Sequence, residues 1–363
     1  MNVEIDVFDP KTASREQWGM YHAFRRKRHE ETYPEDPLRG DEAVETQMKR
    51  PDPEWESIYF RATTRGASDQ LIGWLWMGLA KEDGLTYKTN SHMTWVQPEV
   101  LAPQRREGVG VALLAKAAEV ARDRNRSLMI GGSDEEDGRR FIEMLGAQVA
   151  LTWRENRLVL DEVDWEMVSQ WVAEGRSRSP KTTLRLFGSY LDDDLVEEFC
   201  ELGNEVSNQE PRGDLDLGDE FFTPEIYKER VDSFVEAGGS LHRAITIEGD
   251  GHMSGYTVMG YYPSEGTLIH QYGTGVRQVY RGRGLGKWVK AAMLLHVREE
   301  LPQVKVVVTG NATINAPMLS INERLGFKPY KEGIEAQISL EEVEAYLAAR
   351  RGRGDAPEGM SSS

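Results

Sequence analysis

The stretch that decides the fold is Arg281-Gly282-Arg283-Gly284-Leu285-Gly286-Lys287. It follows the run Gly266–Val276, which is typical of a strand, and it precedes a helical pattern. A glycine-rich loop between a strand and a helix can direct several backbone N–H groups at one anion, and the helix dipole adds partial positive charge there. The sequence therefore predicts a cradle for phosphate or pyrophosphate, to which the two arginines and the lysine add full charges.

The helix that follows this loop is predicted from its apolar period. Leu285, Trp288, Ala292 and Leu295 fall on one face. The cationic residues fall largely off that face, and they are Lys287, Lys290 and Arg298.

Two other phosphate-binding loops do not fit the spacing. A Walker loop needs Ser or Thr after its lysine, but Trp288 follows Lys287, and Arg281 stands where its first glycine would be. The dinucleotide fingerprint would place its last glycine at Lys287. The pattern that fits is Arg-x-x-Gly-x-Gly. An ordinary glycine-rich turn remains the alternative that the loop alone leaves open.

A second stretch lies downstream of the predicted helix. Val304–Thr309 is β-branched and indicates a buried strand. After it comes Asn315, a good helix N-cap, with Pro317 in the first turn and Gly326 as a helix stop. The order is strand, Asn, short helix and then Leu-Gly-Phe.

Together, these two stretches resemble the signatures of the GNAT superfamily of acyl-CoA-dependent N-acetyltransferases. The resemblance implies acetyl-CoA as co-substrate, with its pyrophosphate on the loop and its pantetheine arm along the strand end and near an Asn. A plain helix cap is the other interpretation of Asn315, and both can hold. The residues that the resemblance assigns to the cofactor are Thr274, Gly275, Val276, Arg281, Gly282, Arg283, Gly284, Leu285, Gly286, Lys287, Asn311 and Asn315.

The chain also contains an internal repeat. Gly73-Trp74 and the later Gly78 match Gly255-Tyr256 and Gly260 at an offset of 182. The segment from Val100 to Gly110 matches Val276 to Gly286 at an offset of 176, and Leu145-Gly146 matches Leu325-Gly326 at an offset of 180. Three landmarks in one order indicate two like domains.

The resemblance is thus to tandem GNAT proteins of the mycothiol synthase type. It implies an α/β (α+β) fold with two domains, each a mixed, mostly antiparallel twisted sheet flanked by helices. We expect an N-terminal domain over 1–175, a C-terminal domain over 182–350 and a disordered tail over 351–363. A linker is predicted at Glu174–Lys181, which is rich in Gly, Ser and Pro.

The two halves are unequal. The first half carries Glu107 where the second has Arg283, and a carboxylate there repels a diphosphate. It also has four consecutive acids, Asp134–Asp137, before its short helix and no equivalent of the Asn cap. We expect the first half to be structural or to bind cofactor weakly, and the second half to be catalytic.

Acyl transfer to an amine needs a neutral amine, yet a lysine-like amine is neutral in only about one molecule in 10³ at pH 7. A base or desolvation must help. His270 and Tyr272 are catalytic candidates because they share one face of the strand before the loop. Ordinary packing in the sheet is the alternative for both. Many GNAT enzymes place a Tyr acid where this chain has Asn322, which can hydrogen-bond to sulfur but cannot act as an acid.

Composition narrows the partners. The formal net charge is −17, which disfavours nucleic acid as a partner because phosphate backbones need a basic face. A cationic small-molecule amine fits better, and acidic residues flanking the second-half loop can hold it unless they form only a solvated loop. These residues are Glu205, Glu210, Asp214, Asp216 and Asp219.

Cys200 is the single cysteine, so the sequence allows no intramolecular disulfide and no cysteine-rich metal site. The N-terminal residues lack a signal-peptide pattern, and no apolar run approaches the ~20 residues of a membrane span. We expect a cytoplasmic protein, monomeric or homodimeric, with neither a metal nor a membrane partner.

Two functions from different classes are compatible with these patterns. The first is an N-acetyltransferase that moves acetyl from acetyl-CoA to the primary amine of a small molecule. The second is a catalytically silent acyl-CoA-binding sensor or scaffold, favoured by Asn322 and by the absence of an obvious base. A mycothiol synthase role is a narrower third option.

The inequality of the halves predicts different effects for two matched substitutions. We expect Gly284→Glu to abolish acetyl-CoA binding, because the new carboxylate would lie where the diphosphate binds and would repel it. We expect Gly108→Glu to leave most of the binding. Titration calorimetry with acetyl-CoA measures both variants. The reverse result would show that the roles of the halves are exchanged.

Overall fold

The computed structural model describes residues 3–64 and 67–354. Within these ranges the chain forms twelve strands and eleven α-helices. The strands are β1 (Val3–Phe8), β2 (Trp55–Thr64), β3 (Ala67–Ala80), β4 (Met93–Val100), β5 (Leu128–Ser133), β6 (Gln148–Val159), β7 (Thr183–Phe187), β8 (Ser240–Ile247), β9 (Met253–Tyr261), β10 (Leu268–Val276), β11 (Val306–Ala312) and β12 (Lys328–Ser339).

Helices cover the sheet and connect its strands. They are α1 (Arg15–Thr32), α2 (Asp41–Lys49), α3 (Tyr87–Asn90), α4 (Val109–Asp123), α5 (Glu136–Leu145), α6 (Trp165–Arg178), α7 (Asp193–Ser207), α8 (Pro224–Glu236), α9 (Leu285–Glu300), α10 (Ala316–Leu325) and α11 (Leu340–Gly354). Short 3₁₀ turns follow β4 and β10, at Ala102–Gln104 and Gln278–Tyr280. Within the described ranges, no helix combines the length and the apolar character needed to cross a lipid bilayer.

All the strands described belong to one sheet, in the order β1-β2-β3-β4-β5-β12-β6-β11-β10-β9-β8-β7. Two pairs are parallel, β4 with β5 and β10 with β11. The other neighbours in the sheet run antiparallel. The predicted fold class, two GNAT-like halves with mixed and mostly antiparallel strands, is confirmed.

The two halves exchange their last strands. β6, from the first repeat, pairs with β11 of the second repeat, from Val306↔Val159 to Ala312↔Trp153. β12, from the second repeat, pairs with β5 of the first and lies between β5 and β6. The boundary predicted between residues 175 and 182 divides the sequence between its repeats, whereas the strand pairing crosses it in both directions.

The exchange extends to the hydrophobic cores. Leu158 of β6 with Val168 and Trp171 of α6 are buried in the core of the second half, against α9. Val343 and Leu347 of α11 are buried in the core of the first half, where α11 packs on α4. Burying one such side chain is worth about 1.5–3 kcal/mol. Each half therefore depends on apolar residues supplied by the other repeat.

The predicted linker is in fact largely helical. α6 continues through Gly175 to Arg178. A Cβ at residue 175 would lie 2.3 Å from Cγ of Trp288, so glycine is needed for the close approach of α6 to α9. The prediction was wrong because the glycine serves helix packing and does not mark a chain break. Of the predicted tail, 351–354 belong to α11, and 355–363 lie outside the described residues.

The exchange predicts that the chain unfolds as one cooperative unit. Leu113 in the first core and Val289 in the second are both fully buried. We expect Leu113→Ala and Val289→Ala each to lower the temperature of a single calorimetric transition. The free energy of unfolding should fall by about 2–5 kcal/mol for the leucine. The calorimetric and van't Hoff enthalpies should agree.

Independent halves would give a different result in the same scans. Two transitions, with each substitution moving only one of them, would contradict the cooperative unit.

Candidate functional site

The candidate site lies where β10 and β11 separate. Their parallel register runs from Leu268↔Val306 to Gln271↔Thr309. β10 then carries one extra residue relative to β9, because the register jumps from Gln271↔Met259 to Thr274↔Thr257. Such a bulge bends its strand and leaves the extra residue out of the ladder. β11 continues beside β6, so a wedge opens between β10 and β11.

The first half lacks an equivalent bulge. β4 pairs with β3 in continuous register from Gly73↔Val100 to Leu79↔Thr94. The repeat offsets relate Val100↔Gly73 to Val276↔Gly255, which is the register seen in the second half beyond its bulge. The inserted residue is therefore specific to the second half.

A cavity of about 510 Å³ occupies the wedge. Its walls come from both repeats, since Trp95, Trp153 and Glu335 line it together with residues of the loop between α7 and α8. That loop is docked on the middle of the sheet, where the Asp214 N–H donates to the Ala150 carbonyl at 2.9 Å. Of the predicted site residues, those that line the cavity are Tyr272, Thr274, Asn311 and Asn315.

Backbone groups of β10 face the open side of the wedge. The Arg277 N–H donates to the Ser254 carbonyl at 3.0 Å. Because the hydrogen bonds of an antiparallel strand alternate in direction, Gly275 faces β9, whereas Thr274 and Val276 turn their backbone groups toward the wedge. Gly275 has a packing role as well, since a Cβ there would lie 2.0 Å from Val206.

The glycine-rich loop forms the predicted link between a strand and a helix N-terminus, and this prediction is confirmed. Gly282 and Gly284 have φ angles of +80° and +82°, which only glycine adopts easily, and α9 begins at Leu285. The first N–H groups of α9 have no acceptors within the helix, and they lie at its N-terminus, where the helix dipole has its positive end. The loop lies outside the cavity but on the same helix, about 8 Å along its axis from residue 290.

Arg281 and Arg283 make different contacts. Arg281 donates from Nε to the Val276 carbonyl at 3.2 Å and from Nη2 to Oε1 of Gln209 at 2.6 Å, so no carboxylate neutralises it in these contacts. Arg283 is paired with Glu248 at 3.0 Å and also donates to Thr182. The full charge predicted for Arg283 at the loop is therefore largely compensated inside the protein.

A further cation, Arg178 of α6, lies beside the loop. Its Nη1 is 3.6 Å from the position of a Cβ on Gly284. Its own ion pair is with Glu174, one helical turn earlier, at 3.2 Å. Sequence reasoning missed Arg178 because it assigned this segment to a linker. Recognising Gly175 as a helix-packing glycine would have been the signal.

The first half has a similar loop with a different electrostatic setting. Gly108 has φ +92°, and Arg105 donates from Nε to the Val100 carbonyl at 3.1 Å, as Arg281 does to Val276. A cavity of about 590 Å³ adjoins this loop. Arg105, however, is within ion-pair distance of Glu135, Asp137 and Glu31, at 2.6, 3.1 and 3.3 Å. These carboxylates compensate the charge that a diphosphate would need.

Beneath the wedge of the second half runs a buried polar chain. Lys290 Nζ donates to Gln271 Oε1 at 2.9 Å, and Gln271 Nε2 donates to the hydroxyls of Thr257 and Thr274 at 2.8 and 2.7 Å. The Lys290 residue is only 2% exposed, and burial lowers the pKa of its amine from 10.5 to about 7. Lys290 also lines the cavity.

Lys290 is buried although the apolar period places it off the apolar face of α9. α9 lies between the sheet and α6, so most of its circumference is buried, and the apolar period alone does not show this. The signal in the sequence was its setting, Val289-Lys290-Ala291-Ala292, where a lysine interrupts small and apolar residues.

The corresponding positions of the first half are apolar. The loop offset of 176 relates Lys290 to Leu114 and Thr274 to Pro98, and the offset of 182 relates Thr257 to Leu75. Gln271 pairs with Met259 as Val96 pairs with Met77. The polar chain is thus absent from the equivalent place in the described first half.

Three asparagines line or support the far side of the wedge. Asn315 caps α10, accepting from the Met318 N–H at 3.4 Å, so the predicted cap is confirmed, and the same residue lines the cavity. Asn322 is 1% exposed and donates to Asn311 Oδ1 at 2.8 Å. Asn322 therefore lies behind Asn311 and does not reach the cavity surface, and its predicted catalytic role remains a prediction.

The two candidates on β10 are placed differently. His270 Nε2 lies 2.8 Å from Glu265 Oε2, and Glu265 also accepts from Arg39 at 2.8 Å. This cluster lies away from the cavity, so the geometry does not favour the base predicted at His270. Tyr272 lines the cavity, and desolvation raises the pKa of its hydroxyl to about 12. Tyr272 stays protonated at neutral pH and can donate a proton.

Acidic residues line the cavity, but not the full set that was predicted. Glu210 lies in its wall with Glu220 and Glu335, and burial raises the pKa of the last two carboxyls. The other predicted acids lie outside the cavity lining. Glu205 accepts from the Gln278 N–H at 3.1 Å, Asp216 lies 3.4 Å from His92, and Asp219 lies 3.5 Å from Arg212.

Solved structures similar to this chain include GNAT proteins. A tandem GNAT protein from the clavulanic acid biosynthesis pathway aligns at TM-score 0.75 and 20% identity, covering 93% of this chain and 99% of its own. A GCN5-related N-acetyltransferase from Sphaerobacter thermophilus aligns at TM-score 0.62 and 14% identity, covering 93% and 96%. No protein-family model and no curated protein matches the sequence. The chain therefore has a tandem GNAT-type fold.

The buried lysine predicts a pH-dependent gain of stability on substitution. The pKa of Lys290 is lower in the folded than in the unfolded state, so the unfolded state binds more protons between pH 7 and 10.5. The lysine therefore destabilises the folded state most at neutral and lower pH. We expect Lys290→Leu to raise the free energy of unfolding at pH 7 by about 2–4 kcal/mol. The loss of the hydrogen bond to Gln271 reduces this gain.

Urea titrations of both proteins at pH 7 and pH 10 measure this difference. The gain should shrink toward pH 10.5 as the wild-type amine becomes neutral in both states. A gain in the free energy of unfolding that does not change with pH would contradict the lowered pKa of Lys290 in the folded state.

Proposed function

We propose that the chain is an acyl-CoA-dependent N-acetyltransferase. Its second half moves an acetyl group from acetyl-CoA to the primary amine of a small molecule, by direct attack through a tetrahedral intermediate. The observation that carries this proposal is the wedge between β10 and β11, whose exposed backbone leads to a helix N-terminus rich in unpaired N–H groups.

The wedge and loop suit the two ends of the cofactor. The N–H groups at the start of α9, with Arg281 and Arg178 beside them, would hold the diphosphate. The pantetheine arm would lie along Thr274 and Val276, whose backbone groups face the wedge, and near Asn311 and Asn315. This arrangement brings the thioester to the bulge at Tyr272–Thr274.

The bulge supplies groups for the chemistry. A backbone N–H of the bulge is left out of the ladder and can donate to the oxyanion of the intermediate. Tyr272 is protonated at neutral pH and lines the same cavity, so it can supply a proton to the leaving thiolate. A thiolate with a pKa of about 8.5 leaves without full protonation, so this donation assists and is not essential.

The cavity suits a small cationic acceptor. At about 510 Å³ it lies in the range of small-molecule sites. Glu210, Glu220 and Glu335 in its wall attract an ammonium group, and Trp95 and Trp153 provide aromatic faces for a cation or an apolar stem. Cytoplasmic location and the monomeric or homodimeric state remain the predictions made from the sequence.

Thiol release with an amine panel tests the activity. We expect free thiol to appear when protein, acetyl-CoA and small primary amines are mixed, with a new acetamide in the product by mass spectrometry. Tight binding of acetyl-CoA without thiol release across a broad panel would contradict the transferase and favour the silent sensor.

Arg281 and Arg105 provide a matched pair for the cofactor site. Removing a charged donor to phosphate costs about 1.5–3 kcal/mol. We therefore expect Arg281→Gln to weaken acetyl-CoA binding by roughly 10- to 150-fold. Arg105→Gln removes the same backbone contact in the other half and should change the affinity less than about twofold.

Calorimetric titration of both variants decides between the halves. A loss confined to Arg105→Gln would place the tighter cofactor site in the first half.

A further inference from the structure

Lys290 is a buried amine with few partners. Its Nζ donates to Gln271 Oε1 at 2.9 Å and lies 5.3 Å from the centre of the Phe327 ring. An ammonium group has three donors. Among residues 3–64 and 67–354, no carboxylate oxygen lies within 4.0 Å of this nitrogen, so one neutral acceptor faces a group that would otherwise carry a full charge.

The fold does not require a lysine at this position. Leu114 occupies the equivalent place on α4, is 4% exposed and packs in the core of the first half. Val96, Pro98 and Leu75 replace the rest of the polar chain there. One repeat thus shows that apolar residues build this wall, and the lysine adds a burial penalty that packing does not explain.

The location of Lys290 indicates a function that accounts for the free-energy cost of its burial. It lines the cavity at the point where β10 and β11 separate, beside Tyr272–Thr274 and Thr309. Other titratable groups face the same cavity, namely Tyr272, Glu210, Arg212, Glu220 and Glu335. The carboxylates belong to the outer loop and to β12, whereas Lys290 joins Gln271 at the last paired residue before the bulge.

We propose that Lys290 is the catalytic proton acceptor of the second half, an assignment that rests on the proposed acetyl transfer. The acceptor substrate enters the step as its neutral amine, after the proton of its ammonium form has gone to solvent. Its nitrogen forms a bond to the thioester carbon, the carbonyl π pair moves to oxygen, and one N–H proton of the resulting ammonium passes to Nζ of neutral Lys290. The C–S bond then breaks with its electron pair going to sulfur. The proton on Lys290 leaves through the cavity to the thiolate or to water, so the products are an amide and coenzyme A thiol.

The acidities of the attacking nitrogen and of the Lys290 amine suit this proton transfer. An ammonium of ordinary pKa is a poor donor, but a nitrogen that is bonding to a carbonyl carbon becomes much more acidic. A base works best when its pKa lies near the working pH, and burial lowers the pKa of Lys290 to about 7. Gln271, fixed by two threonine hydroxyls, holds the amine in place.

The test compares wild type, Lys290→Leu and Lys290→Met over pH 5.5–9.5. Leucine is the residue of the other repeat, and methionine keeps the length of the side chain without a base. Lys116→Leu, on α4 and outside the site, is the matched control. For each protein kcat/KM is measured with the best amine of the panel, and acetyl-CoA affinity is measured by calorimetry.

We expect kcat/KM to fall by roughly 10²–10⁴-fold in both Lys290 variants while acetyl-CoA affinity changes less than about threefold. The wild-type profile should decline below pH 7, and this limb should be missing from the residual activity of the variants. Lys116→Leu should match wild type.

Two results would overturn the assignment. One is retention of more than about a fifth of the wild-type kcat/KM, and the other is a large loss with the pH limb unchanged, which would mark a structural role. If wild type itself transfers acetyl to no amine, the proposed function fails, and that result is read from wild type alone.

Discussion

The one-residue bulge in β10 is the constraint on which the rest of the site depends. Parallel strands normally satisfy each other's backbone groups along their whole length, and the pair formed by β10 and β11 stops doing so after Gln271 and Thr309. The extra residue turns β10 away while β6 holds β11 in line. A wedge with unpaired backbone follows from this geometry, without any particular side chain. Side chains then determine what the wedge can do.

The two halves show how side chains act on one backbone plan. Both loops place an arginine Nε on a valine carbonyl five residues earlier, and both start a helix after a glycine with positive φ. In the first half three carboxylates compensate the arginine, and the wall below is apolar. In the second half the arginine contacts neutral groups and the wall contains a lysine. Charge and polarity therefore distinguish the halves in addition to the bulge, which β10 carries and β4 does not.

The loop and the Asn315 cap could be predicted because each depends on neighbours in sequence. The fold was predicted from the resemblance of two motifs to the GNAT signatures, and the two halves from the repeat. The strand exchange could not be predicted, because β6 and β12 close equivalent repeats and either can pair with β5 by pattern alone. Arg178 was missed because the glycine before it suggested a linker, whereas Trp288 requires that glycine. The burial of Lys290 was not predicted, because the period showed one apolar face on a helix that is covered on nearly all sides.

Acid–base residues were the least predictable part of the site. Histidine is a common general base, yet the partner of His270, Glu265, lies five residues earlier on a turn and holds it away from the cavity. Tyr272, two residues on, lines the cavity, and its ring also lies 6.2 Å from that of Phe234. The alternation of a strand assigns both residues to one face, but it does not show which of them reaches the cavity, because tertiary contacts decide this.

The position of β12 has a consequence for how the protein is made. β12 is synthesised long after β5 and β6, yet it fills the middle of the sheet between them. Until it arrives, β5 has an open edge, and β6 is its nearest available neighbour in the nascent chain. At ordinary elongation rates, the roughly 200 residues between β5 and β12 take about 10–40 s to synthesise. Synthesis must therefore have passed β12 before the two repeats can pair across the middle of the sheet.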